Sequence, residues 1–227
     1  MTGRDAILAK VRQSLGAGDD PARRQAVAER LKAAPQGVIP ARGQLPRAER
    51  VALFRSMAEK LLASVERVAG YDEVPGRVAA YLRERNLPAS VRMGADARLE
   101  AMPWAEQKTL ELRRGASDGD DAVGVSHAGG GIAETGTLLL TSGPDNPTSI
   151  NFLTDHHIVV VNAADIEGDL ESALAKVRDR YGKGAMPRTV NLISGPSRSG
   201  DIEQKLILGA HGPRALHILV VDDQADG

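Results

Sequence analysis

Ile158-Val159-Val160-Val161 places four apolar residues in a row. A strand with one face in water alternates polar and apolar positions. An unbroken β-branched run therefore calls for burial on both faces, the situation of a strand inside a helix-covered parallel sheet. Thr189–Ile193 and His217–Val221 read the same way, the latter closing the sheet. Helical patterns alternate with such segments. Arg47–Leu62 carries Val51, Phe54, Met57 and Ala58 at helical spacing, Glu73–Arg85 carries Val74, Val78 and Leu82, and Asp165–Tyr181 carries Ile166, Leu170, Ala173 and Val177. Short strands are expected at 65–68, 90–93, 122–125 and 137–141, and a further helix over Asp201–Leu208. Trp104 lies in a weakly patterned stretch that reads as a strand edge or a lid. Helix following strand following helix is the crossover rhythm of an α/β fold with a parallel sheet.

Before that domain, residues 4–15 set Ile7, Leu8, Val11 and Leu15 on one helical stripe, and residues 16–46 are punctuated by glycine and proline around a weak Ala/Arg segment. The division expected is a helix and linker arm over 1–46, an α/β domain over 47–222 and a frayed acidic tail over 223–227. At 227 residues the chain has room for one such domain with a helical appendage. Its 29 Lys and Arg against 30 Asp and Glu leave a net charge of −1, which gives no pull toward nucleic acid or an anionic membrane. The absence of cysteine excludes disulfides and thiolate ligation of zinc, haem or an iron–sulfur cluster by these residues. No cofactor is expected on this chain, and any redox centre must come on a partner or as a diffusible molecule. The first residues lack the apolar stretch of a signal peptide and no segment reaches 18 apolar residues, so a cytoplasmic protein is expected.

Three loops carry the residues suited to chemistry. Around Gly129-Gly130-Gly131, glycines remove side chains where backbone amides can approach a ligand, and Glu134, Thr135 and Thr137 add a carboxylate and two hydroxyls before the run Leu138-Leu139-Leu140. A glycine turn feeding a core strand explains the same residues. Ser194-Gly195-Pro196-Ser197-Arg198-Ser199-Gly200-Asp201 follows one expected strand and precedes an expected helix, a placement that points to the carboxyl edge of the sheet. There Gly195, Ser197, Arg198 and Ser199 suit an anion, although a capped turn accounts for all but the arginine. Gly209-Ala210-His211-Gly212-Pro213 offers a histidine able to titrate near neutrality, or else a simple helix stop. The expectation is that Glu134 and His211 act catalytically, that Gly130, Gly131, Thr135, Thr137, Gly195, Ser197, Arg198 and Ser199 bind ligand, and that Arg198, His211 and Glu134 face one cavity. Asp155-His156-His157 has metal-ligand chemistry, but neighbouring strand residues point to opposite faces and the spacing to His127 and His211 fits no metal motif. No metal is expected, and neither a dinucleotide fingerprint nor a Walker phosphate loop occurs.

Ile132-Ala133-Glu134-Thr135-Gly136-Thr137-Leu138, the strand from His157 to Val161, Gly195-Pro196-Ser197-Arg198-Ser199-Gly200-Asp201-Ile202-Glu203 and Gly209-Ala210-His211-Gly212-Pro213 together resemble the LUD-domain family, in its lactate utilization protein C branch. The resemblance runs from about residue 45 to 222. It departs from the family pattern where the usual proline before His157 is Thr154 or Asp155, and where Ser199-Gly200-Asp201 replaces Thr-Ala-Asp. It implies a three-layer α/β sandwich with a mostly parallel or mixed sheet, of the NagB/RpiA/CoA transferase-like type. It also implies a subunit needed to oxidise L-lactate to pyruvate with an iron–sulfur protein and an oxidoreductase-like protein, the clusters residing on the partner. A small carboxylate or other anion is the expected ligand. Acyl or CoA transfer or sugar-phosphate isomerisation through Glu134, and a non-catalytic assembly role for the 1–46 arm, are the alternatives.

Overall fold

A computed structural model describes residues 2–16, 20–33, 35–182, 184–200 and 207–222. The chain divides into two units, Met1–Val38 and Ile39–Gly227. The first contains α1 (Gly3–Ser14) and α2 (Pro21–Ala33). Thr2 caps α1 through a reciprocal box with Asp5, which satisfies two amides the first turn leaves free. The expected linker thus holds a 13-residue helix. Ile7 and Val11 on α1, Leu15 at its C-cap, and Val27 and Leu31 on α2 are exposed.

The second unit runs α3 (Arg47–Lys60), β1 (Ser64–Val68), α4 (Val74–Glu84), β2 (Ser90–Met93), α5 (Ala97–Glu100), β3 (Glu111–Arg114), β4 (Val123–His127), β5 (Gly130–Ile132) and β6 (Thr137–Thr141). It continues with α6 (Thr148–Leu153), β7 (His156–Asn162), β8 (Ile166–Glu167), α7 (Leu170–Tyr181), β9 (Val190–Ile193), β10 (Arg198–Ser199), β11 (Ile207–Leu208) and β12 (Ala215–Val221). Six strands form one sheet in the order β1-β12-β7-β4-β2-β3, and every pairing in it is parallel. A smaller sheet, β8-β5-β6-β9, is mixed, and β10 and β11 pair antiparallel.

Alternate side chains of the central strands feed two cores. Val125, Ile158, Val160, Leu219 and Val221 pack with Val78 and Leu82 of α4 and with Leu99 and Trp104. Val159, Val161, Ile218 and Val220 pack on the opposite face with Val51, Phe54 and Ala58 of α3 and with Leu138 and Leu140 of the smaller sheet. The outer face of that sheet takes Ala173 and Val177 of α7. Burial on both faces is what the unbroken apolar runs require.

Several expectations are corrected. β12 does not close the sheet but lies between β1 and β7. β9 is an edge strand of the smaller sheet, with Val190 and Ile193 packed inward and Leu192 47 % exposed, so this apolar run is not buried on both faces. Of the two readings of the stretch around Trp104 the strand edge holds, because β3 is an edge strand of the main sheet, whereas Trp104 itself is buried, its Nε1 donating to the Leu99 carbonyl at 2.6 Å, and forms no lid. The helix expected over Asp201–Leu208 falls partly on residues 201–206, outside the described residues, and Ile207–Leu208 is a strand paired with Arg198–Ser199. The tail over 223–227 likewise lies outside them.

Candidate functional site

The turn after β9 reverses direction at Gly195, whose φ of +81° is one that side-chain-bearing residues seldom adopt. An added Cβ there would also stand 2.3 Å from the Leu61 carbonyl oxygen. Past that turn, Ser197 holds the two loops together. Its amide donates to the Pro213 carbonyl at 2.8 Å, its carbonyl accepts from Gly209 at 3.0 Å, and its Oγ accepts from the His211 amide at 3.3 Å. The loops 194–198 and 211–213 thereby enclose, with Asn151 and Phe152 of α6 and with His157 and Leu216, a cavity of about 260 Å³. Leu192, Phe152, Pro196 and Pro213 give it apolar lining, while Ser194, Ser197, Arg198, His211, Asn151 and His157 supply polar groups. That volume lies just below the roughly 300–1,000 Å³ of drug-sized pockets and suits a small metabolite.

The cavity is not at the carboxyl edge of the main sheet. His157 and Leu216 are register partners at the second positions of β7 and β12, so the 194–198 loop, although it follows β9, sits against the amino ends of the central strands. The start of the helix expected from Asp201 lies outside the described residues, and the polar character of the described loop comes from its side chains and turn amides.

Gly195, Ser197, Arg198 and His211 are brought together on this cavity. Ser199, next to them in β10, is buried and does not line it. Thr135 and Thr137 reach it indirectly. Their Oγ1 atoms are 2.8 Å apart, and that of Thr137 lies 2.6 Å from Oγ of Ser194, a lining residue. Glu134 does not share the cavity with Arg198 and His211, contrary to expectation. Its amide donates to the Gly168 carbonyl and its buried carboxylate lies 3.4 Å from Nε of Arg42, so a salt bridge holds it elsewhere. Gly130 and Gly131 likewise serve packing. A Cβ on Gly130 would stand 2.9 Å from the Asp165 carbonyl oxygen, and one on Gly131 would stand 3.0 Å from the Phe54 ring. Gly131 lets α3 approach the smaller sheet, and Gly130 lets the backbone at Asp165 do so.

The histidine pair diverges as strand geometry demands. His156 Nδ1 meets the Tyr81 hydroxyl at 2.9 Å on one face, His157 Nε2 meets Ser126 Oγ at 3.0 Å on the other, and Asp155 pairs with Arg214. Burial drives the His157 pKa down to about 3 and, with the neighbouring Arg98 charge, that of His127 to about 4. Among the described residues no group of three or more His, Cys, Asp or Glu is placed to hold a metal. No helix there is long and apolar enough to cross a membrane.

Sequence reasoning weighs His157 only as a metal ligand beside Asp155 and passes over Ser126 and Asn151. The available signal was a serine in the strand ahead of the glycine cluster and a histidine opening the apolar run, both polar insertions in strands that are otherwise buried.

"Lactate utilization protein C" of Shouchella clausii is 34% identical over 102 residues, 45% of this chain and 44% of that protein. The protein of that name from Geobacillus kaustophilus is 32% identical over 144 residues, 60% of each chain. The one from Bacillus subtilis is 36% identical over 102 residues, 44% of this chain and 42% of its own. The matched segments thus span about half the length of these relatives. A crystal structure of a DUF162 family protein from Deinococcus radiodurans shares the fold, with a TM-score of 0.59 at 21% identity over 78% of this chain and 99% of that one. The LUD domain profile matches residues 51–221, a span that takes in both sheets and every loop around the cavity, and the chain therefore belongs to the LUD domain family.

Proposed function

We propose that this protein serves lactate utilization by binding a small carboxylate, of the size and charge of lactate or pyruvate, in the cavity between α6, the 194–198 loop and the 211–213 loop. The observation that carries this reading is the convergence of Arg198, Ser197 and His211, far apart from Asn151 and His157 in sequence, on one 260 Å³ space. A guanidinium at the mouth suits a carboxylate, since its planar N–H fork matches two oxygens, and the His211 imidazole can exchange a proton with a second oxygen. The names of the relatives support the physiological setting. In that setting the oxidation itself runs with an iron–sulfur protein and an oxidoreductase-like protein that carry the redox groups. Acyl transfer through Glu134 gains no support from a carboxylate that is salt-bridged to Arg42 away from the cavity.

Calorimetric titration of the purified chain with L-lactate and pyruvate tests the reading. R198A is expected to weaken binding about tenfold or more, the loss of one charge-assisted hydrogen bond, without lowering the thermal midpoint. Unchanged affinity in R198A, or no binding of either acid, refutes it. A second role is supported by the exposed apolar stripe of Ile7 and Val11 on α1 and Leu15 at its C-cap, which suits docking to a partner protein. Deletion of residues 1–40 should then abolish co-purification with the iron–sulfur partner, and an intact complex would rule the arm out.

A further inference from the structure

The inner wall of the cavity contains a hydrogen-bonding pattern that one serine proton fixes. Ser126 Oγ lies 3.2 Å from Oδ1 of Asn151 and 3.0 Å from Nε2 of His157. A hydroxyl has one hydrogen to give and an amide oxygen can only accept, so Ser126 donates to Asn151 and accepts from His157. Nε2 therefore carries the imidazole proton. Because the ring is buried and neutral, Nδ1 is left as a bare acceptor. Neither that Nδ1 nor Nδ2 of Asn151 has a hydrogen-bond partner among the described residues, although each belongs to a side chain that is 1 % exposed. Both residues line the cavity. A buried acceptor and a buried donor without partners are uncommon in folded proteins, and here both belong to residues that line one cavity.

We propose that His157, Ser126 and Asn151 form the specificity element of the cavity and read the 2-hydroxyl of a 2-hydroxycarboxylate, the hydroxyl donating to His157 Nδ1 and accepting from Asn151 Nδ2. This rests on the carboxylate reading above and narrows it. A hydroxyl answers both orphaned atoms at once. A 2-oxo oxygen satisfies the asparagine but sets lone pair against lone pair at His157, and a plain methylene leaves both atoms unpaired. Ser126 is a positioning residue: by accepting from Nε2 it holds the imidazole in the tautomer that exposes an acceptor to the ligand.

The test is a titration of the ¹⁵N-histidine-labelled full chain with L-lactate, pyruvate and propionate, followed by imidazole ¹⁵N shifts and by calorimetry. The unliganded protein should show His157 protonated on Nε2. L-lactate should shift its Nδ1 resonance and bind at least about tenfold more tightly than propionate or pyruvate, as expected when a site built for a hydroxyl meets an analogue lacking it. S126A should erase most of that preference, bringing the lactate-to-propionate affinity ratio close to one, a change in ratio that lost stability alone does not produce. Equal affinity for lactate and propionate, or a proton on Nδ1, overturns the hydroxyl assignment and leaves the carboxylate site standing. Binding of none of the three acids overturns both.

Discussion

Acidification from about pH 7.5 to about pH 5 should remove about 6 kcal/mol of folding stability through three buried histidines. His127, His157 and His217 are 3 %, 1 % and 7 % exposed. Burial first, reinforced by Arg98 at His127 and by Arg85 at His217, lowers their pKa values to about 4, 3 and 4. In the unfolded chain each returns to about 6.5. Below that value the unfolded state binds protons that the native state refuses, so stability falls as pH falls, and the loss ends only near the folded values. At pH 5 each site lies about 1.5 units below its unfolded pKa, which is about 2 kcal/mol per histidine and about 6 for the set, against a total of roughly 5–15 for an ordinary domain. Carboxylates act in a different window. Asp96, Asp121 and Asp169 are desolvated, yet hydrogen bonds from Arg98, Arg92 and the Ser172 amide respectively bring their pKa values below the usual range. Their contribution is present above about 3.9 and is lost only in stronger acid, so it does not obscure the histidine effect at pH 5. Urea unfolding at half-unit pH steps, followed by circular dichroism, should show stability falling by up to about 4 kcal/mol per pH unit near pH 5.5. A change under about 1 kcal/mol between pH 7.5 and 5 would refute the assignment of three neutral buried imidazoles.

Two further substitutions probe packing and surface charge. Phe54→Ala empties a fully buried site between α3 and Gly131, and should lower urea-derived stability by about 3–5 kcal/mol. Arg214→Ala breaks a 2.9 Å pair with Asp155 whose side chains are both more than half exposed, so the thermal midpoint should move by the equivalent of less than about 1 kcal/mol.

The fold was readable where periodicity had one physical meaning. Ile158–Val161 demands cover on both faces whatever its neighbours, and α4 shows its buried stripe Val74, Val78 and Leu82 without ambiguity. Thr189–Ile193 misled because an apolar run is silent about which sheet it joins, and β9 packs Ile193 inward at an edge while Leu192 faces out. The cavity loops were recognisable from composition because serine, arginine and glycine at 195–198 serve few purposes in a core. Glu134 was not, because its partner Arg42 is 92 positions away and no local pattern encodes that salt bridge. The serine proton that fixes the His157 tautomer has the same character: it depends on β4, α6 and β7 meeting in space.

The interior position of β12 has a consequence for how the molecule is made. Residues 64–68 and 156–162 do not pair with each other; both are joined only through 215–221, so the edge strand β1 stands apart from the rest of the parallel sheet until that segment arrives. During synthesis the ribosome releases β1, β4 and β7 with two unsatisfied edges facing one another, and such edges are the surfaces on which chains mispair. The closure of this sheet spans some of the longest sequence separations in the chain, which predicts slow folding with a late, all-or-none final step. Loss of the last strand should therefore leave an aggregating intermediate, since its removal exposes both flanking edges at once.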